Sequence, residues 1–262
     1  MEGVIRPGQL DDDRFDRSKR VEWLDVDAIA RVKVLMVGAG ALGNEVGKNL
    51  ALSGFRYVTV VDMDRIVGSN LNRCMFFSVA DSRSRRFKAE ALAEGMERLG
   101  CEMTVKPVTK PIEKLPAELF HEHDMILGCL DNVVARIHVN SNSYHASKPY
   151  VDGGMDGLIG KVTVVQPPDG PCLQCGLNSS HARVAGMRFS CTGADTVFHE
   201  PRLAAEITTT SVVSAIMVRE ALKIASGHPE FLLSNAFYYD GRRNVSEELE
   251  VPLDPSCPVH VR

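Results

Sequence analysis

Short apolar runs alternate with longer stretches in which apolar residues return every three or four positions, and this alternation predicts the elements. Residues 32–37 (VKVLMV) form an apolar-rich run suited to a strand buried in a parallel sheet. Across 42–53 the period is that of a helix, and Gly54 stands where such a helix ends. A second strand is expected over 57–61, closing at Asp62. A helix rich in Ala and Glu covers 87–99, strands follow at 102–108 and 124–128, and a helix begins after Asp131. Residues 150–151 and 158–166 read as strands. The stretch 176–203 shows no clear period and holds Gly, Ser, Thr and His, as expected of a long functional loop. A long apolar helix over 204–226 ends at Gly227, and late strands near 236–240 and 249–253 close the chain. The pattern is α/β: a doubly wound, mostly parallel sheet with antiparallel strands at its C-terminal end. Residues 1–20 stand apart. The run DDDRFDR at 11–17 is too charged for a core, so 1–20 is expected to be an arm, with a short helix over 21–30 opening a single domain, 21–262.

Composition narrows the function only a little. The 262 residues suffice for one large domain, and 44% hydrophobic with 24% charged residues is ordinary for a soluble protein. A net charge of −4 speaks against general nucleic-acid binding. No apolar run is long enough to span a membrane, and the N-terminus is polar and acid-rich, unlike a secretory signal. A cytoplasmic location is therefore expected. In that reducing compartment the seven cysteines read as metal ligands, nucleophiles or core residues.

The most informative turn lies between the first strand and its helix. Gly38 permits a tight turn, Gly40 lets the backbone approach a phosphate, and Gly43 allows close helix–strand packing. Asp62, 19 residues after Gly43, ends the second strand, where a carboxylate binds ribose hydroxyls in Rossmann-like folds. This much would equally suit an NAD-dependent oxidoreductase. The groups that follow favour ATP. Asp64, Asn70 and Arg73 come straight after the strand, Lys88 opens the next helix, and Asp131 follows a later strand. The topology would bring all of them to the carboxyl edge of one sheet. There Arg73 and Lys88 suit phosphates and Asp131 suits Mg²⁺. Singly, each also fits a plainer role: surface charges for Arg73 and Lys88, a helix N-cap for Asp131.

The runs VLMVGAGALGNEVGKNLALSGF and VVDMDRIVGSNLNR, then KAEAL, CLDN and DGGMDGLIGKVTVV, resemble the E1-like adenylating superfamily. That superfamily includes the ubiquitin-like-protein activating enzymes and the bacterial MoeB and ThiF adenylyltransferases. The likeness spans about residues 14–262 and looks nearest to the catalytic subunit that activates NEDD8. It implies ATP-dependent adenylation of the C-terminal glycine of a ubiquitin-like protein ending in Gly-Gly. It also implies that Asp62 binds the ribose, that Asp64, Asn70, Arg73 and Lys88 surround ribose and phosphates, and that Asp131 binds Mg²⁺. The run RFDRS resembles an N-terminal motif whose second arginine, here Arg17, reaches the partner subunit's ATP in a homodimer. Two departures stand out: Cys74 replaces the common glutamine after the SNLNR run, and RSRRFK lacks the usual Gly/Pro before the lysine, so Arg85 or Arg86 could share the task of Lys88.

The cysteines divide by setting. Cys172 and Cys175 form a CxxC pair, and Cys257 with His260 a CxxH pair; together they suit a tetrahedral structural Zn²⁺ that ties the tail back to the domain. The plainer reading is an incidental core pair. Cys191, in the long loop, resembles the catalytic cysteine of ubiquitin-type activating enzymes. It would attack the acyl adenylate, form a thioester and hand the acyl group to an E2-like conjugating enzyme, with Arg188 lowering its pKa. A cysteine without that chemistry, or one used only for sulfur transfer, fits the same position, and adenylation of a sulfur-carrier protein without a thioester is the alternative reading. Cys101 and Cys129 read as core. The glycine-rich stretch 152–157 reads either as an ordinary turn or as a narrow passage for a Gly-Gly tail.

Overall fold

A computed structural model describes residues 13–100, 102–176 and 204–260. Eight strands form one sheet in the order β3-β2-β1-β4-β5-β6-β7-β8. They are β1 Lys33–Val37, β2 Tyr57–Val61, β3 Thr104–Val108, β4 Met125–Gly128, β5 Tyr150–Asp156, β6 Ile159–Val165, β7 Ala236–Asp240 and β8 Val245–Leu249. The first five pair in parallel and β5 to β8 pair antiparallel, so the doubly wound fold with antiparallel C-terminal strands is as expected. The helices are α1 Asp16–Lys19, α2 Val26–Arg31, α3 Ala41–Ser53, α4 Val79–Ser84, α5 Lys88–Leu99, α6 Glu118–His121, α7 Val133–His145 and α8 Ile207–Ala225. Among the described residues, no helix is long and apolar enough to cross a membrane.

Successive side chains of a strand point to opposite faces, so a strand apolar throughout feeds two cores. In β1, Val34 and Met36 enter a core shared with α3, α5 and α8, while Leu35 and Val37 enter a second one with α7, Cys172 and Cys257. This two-sided burial explains why the strands read as unbroken apolar runs.

Several boundaries differ from expectation for identifiable reasons. The strand expected at 150–151 continues to Asp156, because β6 pairs with the glycine-rich stretch residue by residue; the turn falls at Gly157, φ +59°. The last strand is Val245–Leu249 rather than 249–253, because Asn244, at φ +53°, reverses the chain early and pairs β8 directly on β7. Helix α4 escaped the apolar pattern: it buries no residue and is set by a capping box between Ser78 and Asp81. The helix expected over 21–30 starts later, at Val26, where Asp25 accepts the N–H of Ala28. Helix α8 starts at Ile207, with the Glu206 carboxylate accepting the N–H groups of Thr208 and Thr209. The part of the arm described here packs on its own domain: a Cβ on Gly54 would come within 3.2 Å of the Phe15 ring, and Arg14 Nη2 donates to the Leu99 carbonyl at 2.5 Å.

One buried histidine makes stability pH-dependent. His123 Nδ1 donates to the Leu119 carbonyl at 2.7 Å, so Nε2 accepts from the Thr59 hydroxyl at 2.8 Å. Burial holds its pKa below the ordinary histidine value. In the unfolded chain the ring takes up a proton as pH falls through about 6.5, whereas the folded ring resists it, so stability declines below that pH. Above it both states are neutral and the term vanishes. The thermal midpoint by circular dichroism should fall between pH 7.5 and 5.5, and His123→Gln should flatten that dependence.

Candidate active site

A cleft of about 440 Å³ opens at the carboxyl edge of the parallel strands, a volume suited to a nucleotide-sized ligand. Its floor is the turn after β1. Gly38 sits at φ +103°, and a Cβ there would lie 2.4 Å from the Cys129 carbonyl oxygen at the end of β4. Only glycine fits. A Cβ on Gly43 would lie 2.2 Å from the Gly38 carbonyl oxygen, so α3 can start this close to the turn only because that position is bare. At Gly40 a Cβ would meet no protein atom within 4 Å; a side chain there would project into the cleft.

Asp62, at the end of β2, ties the turn together. Its two oxygens accept the N–H groups of Ala39 and Asp64, both at 2.7 Å. Burial pushes its pKa up, opposed by the Lys88 ammonium. Lys88 enters at the start of α5. Its N–H donates to the Asp64 carbonyl at 2.9 Å, and Nζ pairs with Asp64 Oδ2 at 2.8 Å. Burial disfavours the ammonium, yet Asp62, then Asp64 and Asp131, outweigh it, and its pKa ends above the ordinary lysine value. Arg85 and Arg86 do not share this position. Neither lines the cleft, and Arg86 is committed to Glu94 at 2.7 Å.

Arg73 lines the same cleft, its Nη1 held by the Ser69 carbonyl at 2.5 Å and Asn72 Oδ1 at 3.0 Å. Asn70 also lines it, with its Oδ1 accepting the Val67 N–H at 3.0 Å, so it shapes the turn that presents Arg73. Asp131 follows β4. The N-cap of α7 is Asn132, which accepts the N–H groups of Val134 and Ala135, so capping leaves the Asp131 carboxylate uncommitted. Asp131 raises the pKa of both Lys88 and Arg136, which places it within electrostatic range of each. Gly38, Gly40, Asp62, Asp64, Asn70, Arg73, Lys88 and Asp131 thus share one cleft. Arg17 does not line it; within one chain this residue lies on the exposed α1, beside Asp16.

Sequence reasoning missed two further cations of the cleft, Arg136 and Lys110. Arg136, on the first turn of α7, forms a two-pronged pair with Asp152 of β5, Nε to Oδ1 at 3.1 Å and Nη2 to Oδ2. Tyr150 donates to the same carboxylate at 2.6 Å. The signal available was an arginine five residues after Asp131 on the same loop–helix unit. Lys110 and Glu113, after β3, also line the cleft.

Away from the cleft, Cys172, Cys175, Cys257 and His260 gather with all four ligand atoms within 4.8 Å of one another. Cys172 Sγ lies 3.9 Å from Cys175 Sγ and 3.7 Å from Cys257 Sγ, and Cys175 Sγ lies 3.2 Å from His260 Nε2. A tetrahedral zinc with Zn–S bonds of about 2.3 Å requires S···S separations of about 3.8 Å, so this donor set fits the ion. Cys129 is buried as expected, and burial lifts the pKa of buried Cys74 to about 11, as for a core thiol. Cys101, Arg188 and Cys191 lie outside the described residues.

A family model described as the ThiF family matches residues 17–259. The chain is 27% identical over 256 residues to a molybdopterin-synthase adenylyltransferase of Escherichia coli (strain K12), covering 94% of this chain and 95% of that protein. It is 31% identical over 206 residues to a NEDD8-activating enzyme E1 catalytic subunit of Caenorhabditis elegans, covering 72% of this chain and 46% of that one. It therefore spans about half of the second relative. The crystal structure of E. coli MccB with ATP matches with a TM-score of 0.75 over 97% of this chain and 76% of that one, at 21% identity, a likeness of fold.

Proposed function

Because the chain belongs to the ThiF family, we propose that it adenylates the C-terminal carboxylate of a ubiquitin-like or sulfur-carrier protein ending in Gly-Gly, at the expense of ATP. The observation that supports this best is the meeting of Arg73, Lys88 and Asp131 around the glycine turn in one cleft. A nicotinamide cofactor needs no such array. In this reading a carboxylate oxygen of the carrier attacks the α-phosphorus of ATP. The bond from that phosphorus to the bridging oxygen breaks, and pyrophosphate leaves with its electron pair. Asp62 accepts from ribose hydroxyls, while Arg73 and Lys88 balance charge on the phosphates as it shifts to the leaving group. Asp131 would hold the Mg²⁺ that accompanies ATP, which neutralises phosphate oxygens. A carboxylate is already a nucleophile, so positioning rather than general-base chemistry is the main task. Arg17 of a second copy would add a further positive charge, which makes a homodimer the working unit.

The step after adenylation separates two readings. Cys191 would take the acyl group as a thioester, releasing AMP, for handover to an E2-like enzyme. Adenylation of a sulfur carrier without that thioester is the second reading, supported by the likeness to the molybdopterin-synthase adenylyltransferase. ATP–pyrophosphate exchange should depend on a Gly-Gly-terminated carrier. A carrier adduct sensitive to reducing agent, present in the wild type and lost in Cys191→Ala, supports the thioester; absence of any adduct moves the reading to the sulfur carrier. Exchange that no such carrier stimulates would sink the adenylation reading itself.

A further inference from the structure

We propose that Arg136 and Lys161 form an anion subsite beside Gly154 that receives the carrier's terminal carboxylate before it attacks ATP. This rests on the adenylation reading above.

The subsite is built from the sheet outward. A Cβ on Gly154 would lie 2.5 Å from Arg136 Nη2 and 2.9 Å from Nη1, so the guanidinium occupies the space a side chain would need. The group is fixed there by Asp152, whose side chain is 1% exposed and which also accepts from Tyr150. Yet 22% of the Arg136 side chain remains exposed, and the residue lines the cleft. Nε and Nη2 are committed to Asp152, whereas Nη1 makes no hydrogen bond among the described residues. Lys161 is the register partner of Gly154 in the β5–β6 pair. Directly opposed residues of an antiparallel pair project from the same face, so the Lys161 side chain rises next to Arg136, which lines the cleft while Lys161 stands behind it. Burial lowers its pKa, Arg136 lowers it further, and Asp152 opposes them. Lys161 makes no ion pair among the described residues. Arg136 and Lys161 share the buried Asp152 carboxylate, and Asp131 also lies within electrostatic range of Arg136.

Position along the sheet edge says which anion it awaits. In strand order the edge presents Lys110 and Glu113 after β3, Asp62 after β2, the glycine turn after β1, Asp131 after β4, and then Gly154 with Arg136 at β5. Arg73 and Lys88 serve the polyanionic phosphates on the glycine-turn side. The subsite lies beyond Asp131, at the part of the cleft lined by Gly153 and Gly154. The uncommitted Nη1 of Arg136 and the Lys161 ammonium offer donors that suit a carboxylate. Held there, the nucleophile is oriented next to the phosphates rather than repelled by them.

The test uses the full-length protein saturated with Mg²⁺ and α,β-methylene-ATP, which cannot release pyrophosphate. Two synthetic ten-residue peptides ending in Gly-Gly are titrated by calorimetry, one with a free carboxylate and one as the C-terminal amide. The wild type should bind the acid about 10-fold tighter than the amide, the discrimination a charge-assisted hydrogen bond supplies. Lys161→Gln should reduce that preference to about 3-fold or less and leave ATP affinity within 2-fold. Arg136→Lys, which keeps charge but loses the two-pronged geometry, should do the same; Lys161→Gln removes no hydrogen bond or ion pair among the described residues and carries the test if that variant unfolds. Equal binding of acid and amide by the wild type overturns the subsite and leaves adenylation standing. ATP affinity that falls in Lys161→Gln as far as acid binding does reassigns the charge to a phosphate and also overturns it. No binding of either peptide, together with no carrier-dependent exchange, removes both proposals.

Discussion

Replacing Lys88 with methionine is expected to slow ATP–pyrophosphate exchange by about 10²–10³-fold, the usual effect of deleting one preorganised charge-stabilising donor. The side chain is 14% exposed and its ammonium is fixed by Asp64 at 2.8 Å, in the field of Asp62 and Asp131. It therefore needs little reorganisation when negative charge builds on the phosphates. Three surrounding carboxylates keep it protonated, so its contribution should not fade between pH 6 and 9. Lys88→Arg restores charge without the compact donor and should recover only part of the rate. Exchange at saturating carrier measures this. A loss below 5-fold in Lys88→Met, with the fold intact, would remove the residue from the mechanism.

The second large effect concerns the Cys/His cluster. Purified protein should carry about one zinc per chain by elemental analysis. Cys257→Ser should lose the metal and lower the thermal midpoint by about 10 °C, if loss of the clip removes roughly 3–5 kcal/mol and each kcal/mol shifts a domain of this size by about 2–4 °C. The cluster is part of a core rather than an ornament: Cys172, Leu173, Cys257 and Val259 pack with α7, and the His260 ring meets Tyr144 edge-on at 4.6 Å between centroids. A zinc-free preparation with the same midpoint before and after chelation would contradict the assignment.

Much of this architecture was legible because parallel strands buried on both sides advertise themselves as short apolar runs. The turn at Gly38–Gly43 was legible because steric exclusion leaves a mark on composition: the carbonyls of Cys129 and Gly38 forbid a side chain at Gly38 and Gly43. Asp131 followed from its place just after a strand, and Lys88 from its place at the start of a helix. The parts that stayed hidden were set by tertiary pairing. Residues 152–156 look like a turn until β6 is laid against them, and α4 buries nothing that a period could reveal. Arg136 was missed because its role depends on Asp152, 16 residues away, across a helix and a strand. Charge pairs of that separation leave no local spacing to read.

The sheet also partitions the consequences of damage. The cysteine–histidine clip and α7 share one face, joined by Asn140 Oδ1 accepting the Leu173 N–H at 2.9 Å, while α3, α5 and α8 pack on the other. Oxidation of the clip would first loosen the helix that carries Arg136 and follows Asp131. The glycine turn, braced from the opposite layer, would outlast it. A half-injured molecule would thus retain its grip on nucleoside while losing command of the reacting end.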